Sequence, residues 1–186
     1  MDPDEIMLTT EEAMEKAVDY MSHEFAAVRT GKASPALVEN IDVEAYGAQM
    51  KLKQLALITT PEPRLVVIQP FDGATTSAIE KAIKESKIGI NPNVDGKIIR
   101  LPIPALTEER RRDLVKGIKQ MAEETRVRVR SARRDGIEGL KKALKDGSLT
   151  EDELERLEKD VQKLTDDFVK KVEDSLAAKE ADIMKV

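Results

Sequence analysis

Apolar and small residues recur in steps of three and four from Leu114 onward: Leu114, Ile118, Met121, Thr125, Val129, Ala132, Gly136, Leu140 and Ala143. Those steps put them on one side of an α-helix. A second series, Arg112, Lys116, Lys119, Glu123, Arg126, Arg130 and Arg133, keeps the same steps and is basic everywhere except Glu123. It starts roughly opposite the apolar stripe and drifts to its flank by Arg126. No proline falls between Leu106 and Gly147; Thr107-Glu108-Glu109 opens this stretch and Asp146-Gly147 closes it. The pattern predicts one helix of about 40 residues, roughly 60 Å long, with an apolar seam and a largely basic back.

Two further stretches carry a seam of the same kind. Met14, Val18, Met21, Phe25 and Val28 step by four and three and predict a first helix that ends near Gly31. Thr9 and Glu12 supply a Ser/Thr-x-x-Glu capping box for its start, which leaves residues 1–8 as a short acidic leader. After Gly147, Thr150-Glu151 restarts a helix, with Leu154, Leu157, Val161, Leu164, Phe168, Val172, Leu176 and Ile183 as its seam over about 35 residues. Three helices with one narrow seam each must cover one another in water, so a three-helix coiled-coil-like bundle is expected.

Between the first and second helices the texture changes. Ile41, Val43 and Ala45 alternate with Asp42, Glu44 and Tyr46, Gly47 turns the chain, and Met50 to Leu52 return as a hairpin partner. Leu55 to Thr59 is a further apolar run, Pro61-Glu62-Pro63 a loop, and Leu65 to Ile68 a strand stopped by Pro70. Ser77 to Ser86 reads as a short helix with a capping box at Ser77 and Glu80. Lys97 to Leu101 reads as a last strand, after which Pro102 and Pro104 disfavour regular pairing. The fold class is therefore α+β: a bundle from residues 1–31 and 105–186, with a small α+β domain inserted over 32–104. The chain crosses between the two parts twice, and Gly31, Lys32, Ala33, Pro102, Pro104 and Ala105 are the expected hinge.

Composition narrows the function. Charged residues make up 36% of the 186 residues and aromatics 3%, which suits long solvated helices. There is no cysteine, and the one histidine, His23, lies on the first helix, so neither a disulfide framework nor a zinc site is expected. No Gly-x-x-x-x-Gly-Lys-Ser/Thr stretch occurs, and Asp72-Gly73-Ala74-Thr75-Thr76 lacks the glycines of a phosphate cradle. No enzymatic activity, metal or cofactor is expected. The acidic N-terminus has no signal-peptide core and no apolar run approaches a membrane span, so the expected location is the cytoplasm.

Net charge is −5, so any binding of nucleic acid must come from a local patch. From Arg126 to Arg134 there are five arginines and no acid. Arg126, Arg130, Arg133 and Arg134 share one face over two turns and could follow a phosphate backbone, since guanidinium pairs with phosphate through two bonds. The same row could instead pair with the third helix, whose segment 151–186 carries twelve acidic residues against seven basic ones. No aromatics are interleaved to stack on unpaired bases, so the backbone of folded RNA is the better partner for such a face. Two functions stay open on these grounds: a factor that binds RNA by its backbone, and a coiled-coil adaptor or chaperone-like protein that grips other proteins.

A set of motifs spread along the chain goes further. Val28-Arg29-Thr30-Gly31-Lys32-Ala33-Ser34-Pro35, Pro70-Phe71-Asp72, Gly89-Ile90-Asn91-Pro92-Asn93, Leu106-Thr107-Glu108-Glu109-Arg110-Arg111, Val129-Arg130-Ser131-Ala132-Arg133-Arg134-Asp135 and Asp160-Val161-Gln162-Lys163-Leu164-Thr165-Asp166 occur in that order. Together they resemble the bacterial ribosome recycling factor family over essentially the whole chain. The resemblance implies an L-shaped two-domain factor that binds the ribosome after termination; a monomer is expected. With elongation factor G, which supplies the GTP hydrolysis, it would split the subunits for reuse. It also implies that Arg29, Arg111, Arg130 and Arg133 match basic positions that contact large-subunit ribosomal RNA. Lys32 stands where many relatives carry arginine, which keeps the charge and loses the planar fork. Gly136 and Gly139 within the long helix are less usual and are expected to loosen it locally.

Overall fold

The computed structural model describes residues 2–185. In chain order it contains α1 (Pro3–Ala27), β1 (Asp42–Ala45), β2 (Ala48–Lys51), the single turn α2 (Leu52–Leu55), β3 (Ala56–Glu62), β4 (Leu65–Pro70), α3 (Thr76–Glu85), β5 (Asn93–Asp95), β6 (Ile98–Pro102), α4 (Glu108–Lys145) and α5 (Glu151–Met184). The described residues up to Thr30 and from Glu108 onward form one compact unit, and Gly31–Thr107 form the other. Met1 and Val186, the ends of the expected bundle, lie outside the described residues. Among those described, no helix is long and apolar enough to cross a membrane.

The first unit is a three-helix bundle in which α1, α4 and α5 each pack against the other two. Helix α1 starts earlier than its Thr9–Glu12 box predicts, and residues 3–8 are helix rather than leader. Asp2 is the N-cap and accepts the Asp4 N–H at 3.1 Å. Pro3 occupies a position whose N–H has no helical partner, and Asp4 and Glu5 complement the positive end of the dipole. The added turns bury Ile6 and Thr10. The Thr10 hydroxyl donates to the Ile6 carbonyl at 2.7 Å, and the buried Thr125 and Thr165 bond their own helices in the same way, to Met121 and Val161 at 2.8 Å each. Each hydroxyl is thus satisfied within its helix, and each methyl is free to pack.

Met14, Val18, Met21 and Phe25 of α1, Ile118, Ala122 and Val129 of α4, and Phe168, Val172 and Ile183 of α5 share one core cluster. Ile6, Leu140, Ala143, Leu149, Leu157 and Val161 form a second. Gly136 and Gly139 do not interrupt α4. A Cβ at Gly136 would collide with the Thr10 hydroxyl and lie 2.9 Å from the Thr10 methyl, and one at Gly139 would lie 3.3 Å from an Ile6 methyl. The glycines are the places where α1 comes against α4. At the far end, Gly147 (φ +78°) sends its N–H to Leu144 and Ser148 sends its N–H to Ala143, at 3.1 and 2.9 Å. These two bonds close α4 in a Schellman motif. Thr150 and Glu153 then open α5 with a reciprocal capping box.

The second unit has its own core. A sheet of order β3-β4-β6-β5, antiparallel throughout, supplies Val66, Ile68, Ile99 and Leu101; α3 adds Ile79 and Ile83; the β1-β2 hairpin adds Val43 and Ala45. Pro61-Glu62 is not loop: β3 runs through it as an edge strand, with a register shift between Thr59 and Glu62 that accommodates the proline. Asn93–Asp95 form a short strand beside β6, and Pro102 pairs opposite Leu65 as the last residue of β6. The Ser77–Glu80 capping box is not formed. Asp72 caps a 3-10 turn, Gly73–Thr75, that leads into α3, accepting the Ala74 N–H at 3.0 Å, while Glu80 pairs with Lys84 at 2.9 Å.

Candidate nucleic-acid interface

Helix α4 carries the basic row as one unbroken element, but acids of α4 itself and of α5 pair with some of its members and not with others. Arg112 pairs with Glu108 at 2.6 Å and Lys119 with Glu180 of α5 at 3.7 Å. Arg126, predicted as an RNA contact, is held between Glu123 at 2.9 Å and Glu173 of α5 at 2.8 Å, and its side chain is only 16% exposed. Two carboxylates cancel its charge and occupy the fork that a phosphate would need. Arg126 is therefore a strut between α4 and α5.

The next three arginines differ from it. Arg130 and Arg134 are exposed, and neither forms an ion pair among the described residues. Arg133 is half-buried and meets no carboxylate; its Nη1 donates to the Gln162 side-chain oxygen at 3.3 Å. Gln162 in turn donates through Nε2 to Asp166 at 2.9 Å. Three uncompensated guanidinium groups thus sit within about one and a half turns of a rigid helix, the spacing at which cations can follow consecutive phosphates.

Arg111, at the start of α4, is half-buried, and its Nε is buried without a hydrogen-bond partner. Arg29 is half-buried just past the end of α1 and Lys32 is exposed; neither forms an ion pair among the described residues. Of the expected hinge residues, Gly31 has φ +79° and lies against Leu106, 3.3 Å from a Cβ position to the Leu106 Cγ. The Ala33 N–H donates to the Pro63 carbonyl at 2.7 Å, and the Ile103 N–H to the Arg64 carbonyl at 2.8 Å. Pro102 belongs to the sheet. Pro104 and Ala105 are exposed and outside any strand or helix.

Other polar features lie outside the basic row. Arg128 lies off the basic row and sits 5.2 Å from the Tyr20 ring centroid, on the α1 side of α4. In the small unit Tyr46 takes φ +53°, and its hydroxyl donates to Asp72 at 2.6 Å, tying the β1-β2 turn to the segment before α3. That bond raises the Tyr46 hydroxyl above its usual range, and together with the Ala74 N–H it holds the Asp72 carboxyl below its own. Tyr46 and Phe71 are both exposed. Among the described residues no group of three or more His, Cys, Asp or Glu side chains could hold a metal ion.

Residues 21–184 match the family model described as Ribosome recycling factor. The chain belongs to that family. The ribosome-recycling factor of Akkermansia muciniphila is 56% identical to it over 188 residues, covering 100% of both chains. That of Halalkalibacterium halodurans is 50% identical over 182 residues and 98% of each. Among solved structures, a solution structure of a ribosome recycling factor superposes with a TM-score of 0.84 at 43% identity, covering 100% of this chain and 99% of the other. A second match is the T. thermophilus ribosome recycling factor, described with E. coli elongation factor G bound to the E. coli post-termination complex. It gives a TM-score of 0.66 at 43% identity over 99% of this chain and 100% of that one. Recycling-factor relatives thus span the whole chain, bundle and inserted unit alike.

Proposed function

We propose that this recycling factor binds the post-termination ribosome by laying the α4 face of Arg130, Arg133 and Arg134 on the phosphate backbone of large-subunit ribosomal RNA. Arg29 and Arg111 add contacts where α1 ends and α4 begins, and Lys32 adds one from the start of the small unit. Elongation factor G supplies GTP hydrolysis and acts on the small unit, and the two connections around Gly31–Ala33 and Pro104–Ala105 let that unit pivot while the bundle stays anchored. The two subunits then part. Such a factor works in the cytoplasm, as a monomer, and does no covalent chemistry of its own. The observation that carries the reading is the uncompensated arginine group on α4 in a chain of this family. The adaptor reading needs an open apolar seam to grip a protein, whereas the seams of α1, α4 and α5 are closed on one another.

The test is co-sedimentation with ribosomes across salt concentrations. Arg130 is exposed and Arg133 makes one 3.3 Å bond to Gln162; surface contacts of this kind contribute roughly 0–1 kcal/mol, so the double variant Arg130→Ala, Arg133→Ala should keep near-wild-type thermal stability. Each lost phosphate contact should lower the slope of log affinity against log salt by about 0.7–0.9. A variant that folds and binds with an unchanged slope would remove these arginines from the interface.

A further inference from the structure

The motif Asp160-Val161-Gln162-Lys163-Leu164-Thr165-Asp166 stands out in the sequence, and its role lies in α5. Val161 and Thr165 are buried in the bundle, and Thr165 bonds back to Val161. One face over, Gln162 and Asp166 stand a helical turn apart, and Gln162 reaches α4. The Gln162 amide is polarised in one sense. Its Nε2 donates to Asp166 Oδ1 at 2.9 Å, which leaves Oε1 to accept from Arg133 Nη1 at 3.3 Å. The reversed amide would set its oxygen against the carboxylate and its N–H groups against the guanidinium, so Asp166 fixes the direction of the relay.

The contrast with Arg126 gives the relay its meaning. There α5 presents a carboxylate, Glu173, and with Glu123 it cancels the arginine's charge. At Arg133 the same helix presents a neutral oxygen. An amide can fix the plane of a guanidinium without neutralising it, leaving the full charge for a phosphate. We infer that Gln162 is a positioning residue for ribosome binding: held by Asp166, it orients Arg133 toward the RNA backbone while keeping it cationic. This rests on the proposed contact of Arg133 with phosphate.

The discriminating variant is Gln162→Glu, which keeps the size and an oxygen for Arg133 but adds a charge and replaces the bond to Asp166 with a like-charge contact. A purely structural role predicts that Gln162→Glu loses stability through that contact while ribosome binding by the folded protein is unchanged. The positioning role requires, in the folded variant, about tenfold weaker co-sedimentation and a salt slope lower by roughly 0.7–0.9. Gln162→Leu, which loses orientation and leaves the charge, should weaken binding less and keep the slope. In an Arg133→Ala background neither change should have any further effect. If Arg133→Ala weakens binding and Gln162→Glu does not, the positioning role is wrong and the arginine contact stands. If Arg133→Ala itself binds like the parent, the contact and the relay fall together.

Discussion

At the residue scale, two glycines in one helix should respond to alanine in opposite ways. Gly117 and Gly136 both lie in the interior of α4, where glycine costs about 1 kcal/mol relative to alanine. Nothing lies within 4 Å of a Cβ at Gly117, so Gly117→Ala should stabilise the bundle by about 0.5–1 kcal/mol. At Gly136 the new methyl meets Thr10, and overpacking of this kind costs about 1–3 kcal/mol. Gly136→Ala should therefore destabilise despite its better helix propensity. Thr10→Ala removes the hydroxyl and methyl in the way, so the two changes together should cost less than their sum. Urea unfolding of the four variants checks this, and additive costs would mean that the helices do not cross here. Arg126 yields a parallel test against Arg130. Arg126→Ala breaks a two-carboxylate strut and should lower stability by about 1 kcal/mol, while Arg130→Ala should leave the melting temperature alone and act on ribosome binding.

At the element scale, the α4–α5 junction concentrates its stabilisation in a few bonds. The Thr150 N–H and then its hydroxyl donate to Glu153, at 2.8 and 3.1 Å, and they hold the Glu153 carboxyl below its ordinary range. A carboxyl with a lowered folded-state value contributes stability that is present above its unfolded value and lost as pH falls through the folded one. Thr150→Ala should thus cost about 1 kcal/mol near neutrality, roughly 2–4 °C in melting temperature. Glu153→Gln should flatten the acid limb of the stability profile; an unchanged limb would mean that the box does not form in solution. This junction also shows what a sequence reveals. Gly147 and the apolar seams were legible because caps and periods of 3.6 are local. The start of α1 was not, because two cap signals compete, Asp2-Pro3 and Thr9-x-x-Glu12, and burial of Ile6 and Thr10 against α4 decides between them. The arginine row was legible as a row. Which members keep their charge was not, since that depends on whether Glu173 or Gln162 of α5 comes opposite, a register that the spacing within neither helix encodes.

At the scale of the whole molecule, each unit has a core of its own, and this makes the insert separable. Among the described residues, the bundle core draws on α1 and the Val28 that follows it, α4, α5 and the α4–α5 turn, and the small unit's core on residues between Ala33 and Ile103. Gly31 and Leu106 touch, so the chain enters and leaves the small unit at neighbouring points, and a few Gly/Ser residues are enough to join Thr30 to Glu108. A chain shortened in this way should remain strongly helical by circular dichroism and unfold cooperatively. If it is disordered, the bundle needs the insert, and the two-unit reading fails. On the ribosome the shortened chain separates anchoring from action. It retains Arg29, Arg111, Arg130, Arg133 and Arg134 and loses only Lys32 of the proposed contacts, so its binding should weaken by about one phosphate contact, a slope change of roughly 0.7–0.9. On the proposed mechanism elongation factor G acts on the small unit, so subunit splitting with elongation factor G and GTP should be absent, and an excess of the shortened chain should inhibit the intact factor by occupying its site. Splitting by the bundle alone would show that the small unit and its hinge are not part of the mechanism. Loss of binding with the fold intact would move the anchor into the small unit.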